Sequence, residues 1–376
     1  MILKTLVEKL DSLFQKKLAF EWDNVGLQVG NLDKDIKKIL ITLNLDHSVV
    51  NEAVNSRVDL ILAHHPLIFN PIKSIISSDI PQKKILSLIE NRIALYVVHT
   101  NYDIMQEGLN EYVARRLGLV RLNVIDPHKT QWYKFVIFVP LEAEEEIRKV
   151  ICKHGGGKWR NYSCCTFNVR GKGTFVPLEG ANPYIGEVGK ISYVDEVRIE
   201  CIVSEDILDE VVSSAIKAHP YEEVAYDIYK IENKFDEVGV GRVGELEEPE
   251  YFVDFLQRVK EKMEVRNLRW LCENCEELKS KKISKVALVC GSANSMASKL
   301  ASLDCDLVIL GEINYHNALH IAESGKILIE IGHGCSEKWA VEDIYNKLTD
   351  LVCAHGWEIE LIKSKAKCMN WRFYID

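Results

Sequence analysis

Three pairs of histidine, aspartate and glutamate residues follow predicted strands in this sequence. Each pair comes after its own apolar segment: His64 and His65 after Val58–Ala63, His99 and Asp103 after Ala94–Val98, and His333 and Glu337 after Ile327–Ile331. Imidazole and carboxylate groups are ligands of zinc, iron and manganese in proteins. Because ligands bind outside the carboxyl ends of the strands in open α/β sheets, we expect all three pairs at one rim of one sheet.

Each pair also has an interpretation without a metal. His64 and His65 could be satisfied by hydrogen bonds at the end of a buried strand, and His99 could form a hydrogen-bonded pair with Asp103. The third pair has i, i+4 spacing on one helix face, where it could belong to a helix cap instead of a metal site. The convergence of three strands favours metal binding, since no single pair supports it alone.

The number of candidate ligands indicates two ions. A single zinc ion takes three or four ligands from a protein, and five are present: His64, His65, Asp103, His333 and Glu337. Two divalent ions bridged by a carboxylate and a water would use all five. Such a pair lowers the pKa of bound water and stabilises developing negative charge from both sides. Zinc, iron and manganese all suit these ligands, and His99 and His316 are the candidates for proton transfer.

The segments that carry these residues predict an α/β domain. Its predicted strands are apolar enough to be buried on both faces: Ile39–Leu45, Val58–Ala63, Ala94–Val98, Val286–Cys290, Leu307–Leu310 and Ile327–Ile331. Helical patterns such as Ser48–Asn55 and Ile80–Asn91 lie between them, an alternation typical of a largely parallel sheet. The N-terminus predicts an amphipathic helix with one apolar stripe: Leu3, Leu6, Val7, Leu10, Leu13 and Phe14.

The middle of the chain predicts a separate α+β domain. We place it at residues 129–236, inserted between two parts of the α/β domain, residues 1–128 and 237–376. Its predicted elements are Phe135–Val139, the helical Ala143–His154, Thr166–Val169, Gly173–Val176, Val194–Val203, the helical Ile207–Ala218 and Tyr226–Ile231. Asp126-Pro127 and the glycine-rich Gly239–Leu246 mark its edges, because such residues interrupt regular structure.

Composition restricts the partners and the compartment. The 376 residues are 47% hydrophobic and 27% charged, and the formal net charge is −9. That charge argues against nucleic acid as a partner, because phosphate backbones are bound by clustered Lys and Arg. No apolar run reaches the roughly 18 residues of a membrane span, and no secretory signal begins the chain. We therefore expect a cytoplasmic protein without a membrane or nucleic-acid partner.

The cysteines support the same compartment. There are 11, an odd number, and they are scattered without a framework spacing. A disulfide scaffold is therefore not expected, and free, mostly buried thiols in a reducing compartment are predicted.

At these residues the sequence resembles the NIF-three-like dinuclear-metal family, whose bacterial members carry the name GTP cyclohydrolase I type-two homologue. The matching stretches extend over nearly the whole chain: WDNVGLQVG at Trp22–Gly30, AHHPLIF at Ala63–Phe69, HTNYD at His99–Asp103, GVGRVGEL at Gly239–Leu246, GEINYH at Gly311–His316 and GHGCSE at Gly332–Glu337. The middle domain also resembles that of the longer members, through NYSCCTF, GTFVPLEGANPYIG and AHPYEEVAYDIY.

The resemblance implies a two-metal pocket with His64, His65, Asp103, His333 and Glu337 in the ligand positions. It also implies a toroidal homo-hexamer, and an insert that resembles the small trimeric signalling proteins of the PII and CutA type. One departure is Glu312, where an aspartate is expected. Its longer side chain changes the surroundings of the ligands but removes none of them.

Our leading hypothesis is a metal-dependent hydrolase that acts on a nucleotide or a related small molecule, with His99 or His316 moving the proton. Fold and family do not determine the reaction. A competing hypothesis is a non-catalytic protein: a hexamer that stores, delivers or senses metal ions, or a regulatory scaffold. The absence of a dedicated phosphate-binding loop from the sequence mildly favours this alternative.

Overall fold

The computed structural model describes residues 1–128, 131–159, 162–233, 238–273, 278 and 280–366. The chain divides into two units, Met1–His128 with Asp236–Asp376, and Lys129–Phe235. Both combine helices with strands, in agreement with the predicted α/β class. Among the described residues, no helix is long and apolar enough to cross a membrane.

The first part of the larger unit alternates strands with helices, as predicted. In chain order the elements are α1 (Leu3–Leu13), β1 (Gly26–Val29), β2 (Lys38–Thr42), α2 (His47–Asn55), β3 (Leu60–Ala63), α3 (Ile80–Glu90), β4 (Ala94–Val97), α4 (Thr100–Ile104), α5 (Leu109–Arg116) and β5 (Leu119–Pro127), with a 3-10 turn at Lys16–Leu18. Strand β3 begins two residues later than predicted because the N–H of Val58 bonds to the carbonyl of Ala53 and closes α2. Asp46 and Asp79 cap α2 and α3 by accepting N–H bonds.

The smaller unit has a βαββαβ order of elements. They are β6 (Trp132–Pro140), α6 (Glu144–Lys153), β7 (Thr166–Phe175), β8 (Ser192–Ser204), α7 (Glu205–Ala218) and β9 (Tyr226–Ile231), with a 3-10 turn at Leu141–Ala143. The sheet is antiparallel in the order β7-β8-β6-β9, and both helices pack on one face of it. This is the ferredoxin-like split-βαβ arrangement.

Two predicted strands of this unit form one. Thr166–Val169 and all but the last residue of Gly173–Val176 are parts of β7, which pairs without interruption with β8. The glycine at position 173 does not mark a turn: a Cβ there would collide with the carboxylate of Glu196 on β8.

The cysteines of the described residues differ from the prediction in two respects. Cys152 and Cys164 of the smaller unit form a disulfide. Of the free cysteines among the described residues, Cys201 is buried, Cys165 and Cys353 are exposed, and the others are half-buried, so "mostly buried" was wrong. The separation of 12 residues along the chain does not identify the pair. Only the fold brings Cys152 on α6 next to Cys164, which lies just before β7.

The second part of the larger unit completes its sheets. Its elements are β10 (Gly239–Tyr251), α8 (Phe252–Lys262), β11 (Arg269–Leu271), β12 (Lys282–Ser292), α9 (Ala297–Ser302), β13 (Leu307–Glu312), α10 (Tyr315–Glu323), β14 (Ile327–Glu330), α11 (His333–Glu337), α12 (Trp339–His355) and β15 (Glu360–Lys363), with a 3-10 turn at Asn294–Met296. Strand β10 pairs antiparallel with β5, and Gly239 lies opposite Pro127. The chain therefore leaves and re-enters this unit at adjacent positions of two paired strands.

The larger unit contains two sheets where the sequence predicted one. The first has the order β1-β4-β3-β2-β15 and is parallel except for β1. The second has the order β11-β14-β13-β12-β10-β5, and only β12, β13 and β14 are mutually parallel. The expectation of one shared rim was wrong, because β3 and β4 belong to the first sheet and β14 to the second.

A single apolar core joins the two sheets. It includes residues of both sheets and of α1, α5, α8 and α12, while α2 and α3 cover the other face of the first sheet and α9 and α10 that of the second. The predicted stripe of α1 lies in this core, with Leu3, Leu6 and Leu10 fully buried. Burial of the same helices by both sheets fixes the two sets of strand ends relative to each other.

A buried arginine links β10 to the end of α4. The guanidinium of Arg242 donates to the carbonyls of Gly239 (2.8 Å), Gly241 (2.9 Å) and Met105 (3.1 Å), and it lies 3.8 Å from Glu111. Since buried carbonyls need partners, this one side chain satisfies three of them.

Replacing this arginine tests the link. Arg242→Met is expected to reduce the free energy of unfolding by roughly 3 kcal/mol, because it leaves three buried carbonyls without their donor and removes the positive charge beside Glu111. Calorimetric melting of the variant should show a clearly lower transition temperature than wild type. The exposed Arg266→Met is the matched control, and equal melting of both variants would contradict the structural role.

Candidate metal centre

Two adjacent histidines continue beyond the end of β3. The N–H groups of His64 and His65 bond to the carbonyls of Thr42 (3.0 Å) and Leu43 (2.9 Å), so their backbone extends the pairing of β3 with β2. His64 is fully buried, and its ring centroid lies 4.8 Å from that of His65. The strand pairing therefore determines where both imidazoles lie.

All four imidazoles of the site are held through Nδ1. The contacts are His64 to the carbonyl of Val98 (2.9 Å), His65 to Oδ1 of Asn44 (2.7 Å), His99 to both carboxylate oxygens of Asp23 (3.0 Å each) and His333 to Oε1 of Glu312 (3.2 Å). These oxygens accept hydrogen bonds, so Nδ1 carries the hydrogen of each neutral ring. Each Nε2 then keeps a lone pair that is available to a metal ion. Outer contacts of this kind orient histidine ligands in metal proteins.

The carboxylates approach these Nε2 atoms. Oε2 of Glu337 lies 3.1 Å from Nε2 of both His65 and His333, and Oδ1 of Asp103 lies 3.7 Å from Nε2 of His64. Two groups have their ligand atoms within 4.8 Å of one another, namely His64 with His65 and His99, and His65 with His333 and Glu337. The structure thus brings together residues from both sheets, with His65 common to the two groups.

Three polar atoms of the cluster are buried without a partner. Among the described residues, five buried side-chain nitrogen or oxygen atoms lack a hydrogen-bond partner, and three of these are Nε2 of His64, Oδ1 of Asp103 and Oε2 of Glu337. Leaving such an atom unpaired costs about 1–3 kcal/mol. A cation bound by the lone pairs would remove that cost, so the donor set fits divalent metal ions of the zinc, iron and manganese type.

The surroundings also determine which groups hold protons when no cation is bound. Burial, together with the neighbouring His65, lowers the pKa of His64 to about 3, so this imidazole is neutral. Glu337 raises the pKa of His333 to about 9, with a further contribution from Glu312. Burial and the charge of Glu337 raise the pKa of Asp103 well above its ordinary value. A proton on His333 therefore partly replaces a cation, and the raised pKa of Asp103 reduces the negative charge that its carboxylate would add.

The pKa of Glu337 is depressed. Burial opposes its ionisation, but the imidazoles of His333 and His65, whose Nε2 atoms lie 3.1 Å from Oε2 without hydrogen-bond geometry, and the field of His64 lower the pKa below the ordinary range of a glutamate. The side chain is only 4% exposed, so an ionised carboxylate lies at the centre of the cluster.

Glycines at the ends of β12 and β13 make room for α11. A Cβ at Gly291, whose φ is +69°, would overlap Oε1 of Glu337, and a Cβ at Gly311 would lie 2.6 Å from Oγ of Ser336. The N–H of Gly291 donates to Ser336 Oγ (2.9 Å), and that hydroxyl donates to the carbonyl of His333 (2.7 Å). Because glycine has no side chain, α11, which carries the candidate ligands His333 and Glu337, can lie against the ends of β12 and β13.

The segment that carries Asp103 is held from the second sheet. Asn110 donates to the carbonyl of Asp103 (3.0 Å) and accepts the N–H of Cys290 on β12 (2.9 Å). The hydroxyl of Tyr102 donates to Asp343 on α12 (2.6 Å). These bonds place ligands of the first sheet against the strand ends of the second.

His316 lies apart from this cluster. It is exposed at the start of α10, its ring contacts that of Tyr315, and the metal-binding groups found among the described residues do not include it. His99, the other candidate for proton transfer, lies inside the cluster. Its ring centroid is 5.4 Å from those of His64 and His65.

Of the side chains that orient the imidazoles, Glu312 was singled out from the sequence, whereas Asp23 and Asn44 were not. Asp23 lies in the quoted stretch Trp22–Gly30 but was not assigned a role, and Asn44 follows β2 at the same strand ends as the histidines. A polar residue after a buried strand was therefore a usable signal for Asn44. For Asp23 there was no such signal, because its partner His99 is 76 residues away.

Known proteins resemble this chain over its whole length. Residues 1–368 match the family described as Duf34/NIF3 (NGG1p interacting factor 3). A relative from Halalkalibacterium halodurans, named GTP cyclohydrolase 1 type 2 homolog, is 35% identical over 362 residues and covers 96% of each chain. A Bacillus subtilis protein of the same name is 36% identical over 348 residues, covering 92% of this chain and 91% of its own. The crystal structure of a Bacillus cereus protein related to NIF3 is 34% identical, with a TM-score of 0.84, covering 100% and 99%.

Space at position 291 is a testable requirement of the site. Gly291→Ala is expected to weaken metal binding by roughly 10–100-fold, because the new methyl group displaces Glu337. Competition with a chromogenic chelator measures this affinity. Gly325→Ala is the control, since Gly325 also has a positive φ (+85°) but has no atom within 4 Å of an added Cβ. Equal effects of the two substitutions would assign the loss to backbone strain alone.

Metal binding is expected to release protons. Because the pKa of His333 is about 9 in the metal-free protein, a metal ion must displace a proton there at neutral pH, and affinity should fall as the pH falls below 9. For one displaced proton, affinity decreases roughly tenfold per pH unit. Calorimetric titrations in two buffers of different ionisation enthalpy measure the release. His316→Gln should leave it unchanged, and identical heats in both buffers would contradict the assignment.

Proposed function

This chain belongs to the Duf34/NIF3 family, and on that premise we propose that it binds two divalent metal ions and hydrolyses a nucleotide or a related small molecule. The observation that carries the proposal is the trio of buried, unpartnered atoms on His64, Asp103 and Glu337. The proposed ligands are His64, His65, Asp103, His333 and Glu337, and the ions are zinc, iron or manganese.

The proposal of two ions is supported by the presence of two groups of candidate ligand atoms in the cluster. The His64 group and the Glu337 group each contain three possible ligand atoms and share His65. The other members of the first group follow strands of the first sheet, whereas His333 and Glu337 follow a strand of the second. Five or more ligand atoms exceed what one zinc ion takes from protein. When bound, a metal pair supplies Lewis-acid polarisation of the substrate and activation of water.

In this proposal His99 is the residue that moves a proton. Burial alone lowers its pKa, but its bond to Asp23 and the charge of Asp103 outweigh that effect and raise it. Asp23 also accepts bonds from the N–H and hydroxyl of Thr100 (3.1 and 2.6 Å), which fixes its carboxylate. An imidazole held in this way can keep a proton beside the metal ligands and donate it to a leaving group. The exposed position of His316 lends no support to such a role.

The hydrolytic class is supported by the names of the relatives. The H. halodurans and B. subtilis proteins are named as homologues of a GTP cyclohydrolase, and a site with paired Lewis acids suits hydrolysis of heterocycles, esters or phosphates. We also propose, from the family resemblance, a cytoplasmic toroidal homo-hexamer, and a PII- or CutA-like role for the smaller unit. Light scattering measures the subunit number directly.

Metal content and turnover test the proposal together. Protein purified without chelator or nickel affinity resin is expected to contain about two ions per chain by mass spectrometry. Asp103→Ala should lose at least one ion and all hydrolysis of a nucleotide and ester panel, because it removes a ligand. The exposed Asp350→Ala is the control and should keep both.

The outcomes separate the enzyme from the metal-handling alternative. Two exchangeable ions without hydrolysis across the panel would favour metal storage, delivery or sensing. Chains that bind no metal even when it is resupplied would contradict the ligand assignment, and full activity of metal-free protein would contradict the mechanism.

A further inference from the structure

Two exposed aromatic rings lie beside the metal-binding cluster. Trp22 is 58% exposed and Phe69 46% exposed, and their ring centroids are 5.9 Å apart. The Trp22 ring lies 6.4 Å from the ring of His99 in an edge-on arrangement. Large exposed aromatic groups next to a cluster of convergent polar atoms are typical of ligand sites.

The backbone under both rings is fixed by polar bonds. Oε1 of Gln28 accepts the N–H groups of Leu67 (3.1 Å) and Ile68 (2.9 Å), and Nε2 of Gln28 donates to the carbonyls of Ile68 (3.0 Å) and Asn24 (2.7 Å). Asn24 also donates to the carbonyl of Ile68 (2.6 Å). The segment that follows Trp22 is thereby tied to the segment that leads from the histidine pair to Phe69.

The Trp22 ring also packs against a third aromatic side chain. Phe20 stacks on it with a centroid distance of 5.6 Å and an interplanar angle of 27°. More than half of the Trp22 surface nevertheless remains open to solvent. Asp23, the next residue, holds the His99 imidazole, so one short segment positions both the aromatic surface and a member of the polar cluster.

We propose that Trp22 and Phe69 form the surface on which a planar heterocyclic ring of the substrate stacks, with its reacting group directed to the metal ligands. This inference rests on the proposed function and specifies its substrate class: a compound with an aromatic heterocycle, such as a nucleobase. Stacking of a base on an exposed aromatic side chain is worth about 1–3 kcal/mol, or roughly 5–150-fold in affinity. The preformed position of the two rings reduces the ordering cost of binding.

The experiment compares ligands with and without an aromatic ring. Calorimetry measures binding of GMP, AMP, UMP and FMN, and of ribose 5-phosphate as the matched ligand without a ring. At least one of the four is expected to bind wild-type protein roughly tenfold more tightly than ribose 5-phosphate. Trp22→Ala should remove most of this preference, and Trp22→Phe should retain most of it.

A second tryptophan provides the control. Trp270 on β11 is 41% exposed, and its ring contacts that of Phe252. Trp270→Ala should keep the preference for aromatic ligands. Metal content of every variant is measured in parallel, and Trp22→Ala is expected to keep the wild-type value because indole supplies no ligand atom.

The results distinguish failure of this inference from failure of the proposed function. Wild-type protein that contains metal but prefers none of the four aromatic compounds over ribose 5-phosphate would overturn the stacking surface alone. Equal losses for aromatic and non-aromatic ligands in Trp22→Ala would do the same. So would a change of subunit number in Trp22→Ala by light scattering, because it would assign the rings to a subunit contact. Absence of metal from wild type would instead overturn the proposed function.

Discussion

The central constraint on this structure is the burial of candidate ligand atoms that make no hydrogen bond within the described part of the chain. Glu337 presents an ionised carboxylate to the Nε2 atoms of His65 and His333, while Nε2 of His64 and Oδ1 of Asp103 face the same space. Each unpaired atom is unfavourable, and two negatively charged oxygens near each other add repulsion. Such a cluster is stable only with protons or a cation in it, and the surrounding structure holds the side chains in position for either.

That support comes from parts of the fold that carry no ligands. The Nδ1 contacts with Val98, Asn44, Asp23 and Glu312 orient the four rings. The absence of a side chain at Gly291 creates the space for Glu337. Helices buried between the two sheets keep the strand ends facing one another, and the smaller unit is inserted at β5 and β10, where paired strands bring the two ends together. Ligand geometry is thus a property of the whole larger unit.

The polar cluster and the two exposed aromatic rings have different roles in the proposed site. In our proposals the imidazoles and carboxylates supply lone pairs for cations and His99 holds a proton, whereas Trp22 and Phe69 supply an apolar surface without charge. Both parts meet in the segment around Asp23, which orients His99 and follows Trp22 directly. A heterocycle that stacks on the aromatic rings and reacts at the polar cluster would require both to be fixed before it binds. The hydrogen bonds of Gln28 and Asn24 fix the backbone next to the rings.

The sequence by itself determined the elements and the identity of the polar cluster. Apolar runs such as Ala94–Val97 predicted the buried strands, and the polar residues after them predicted His64, His65, Asp103, His333 and Glu337 as neighbours, because periodicity and strand direction are local properties. Only the tertiary structure decided that two sheets rather than one deliver these residues, that Asp23 and Asn44 orient the rings, and that Gly291 makes room for Glu337. The reason is physical: pairing of strands and contacts between residues far apart in sequence depend on packing of the whole chain, which no local pattern records.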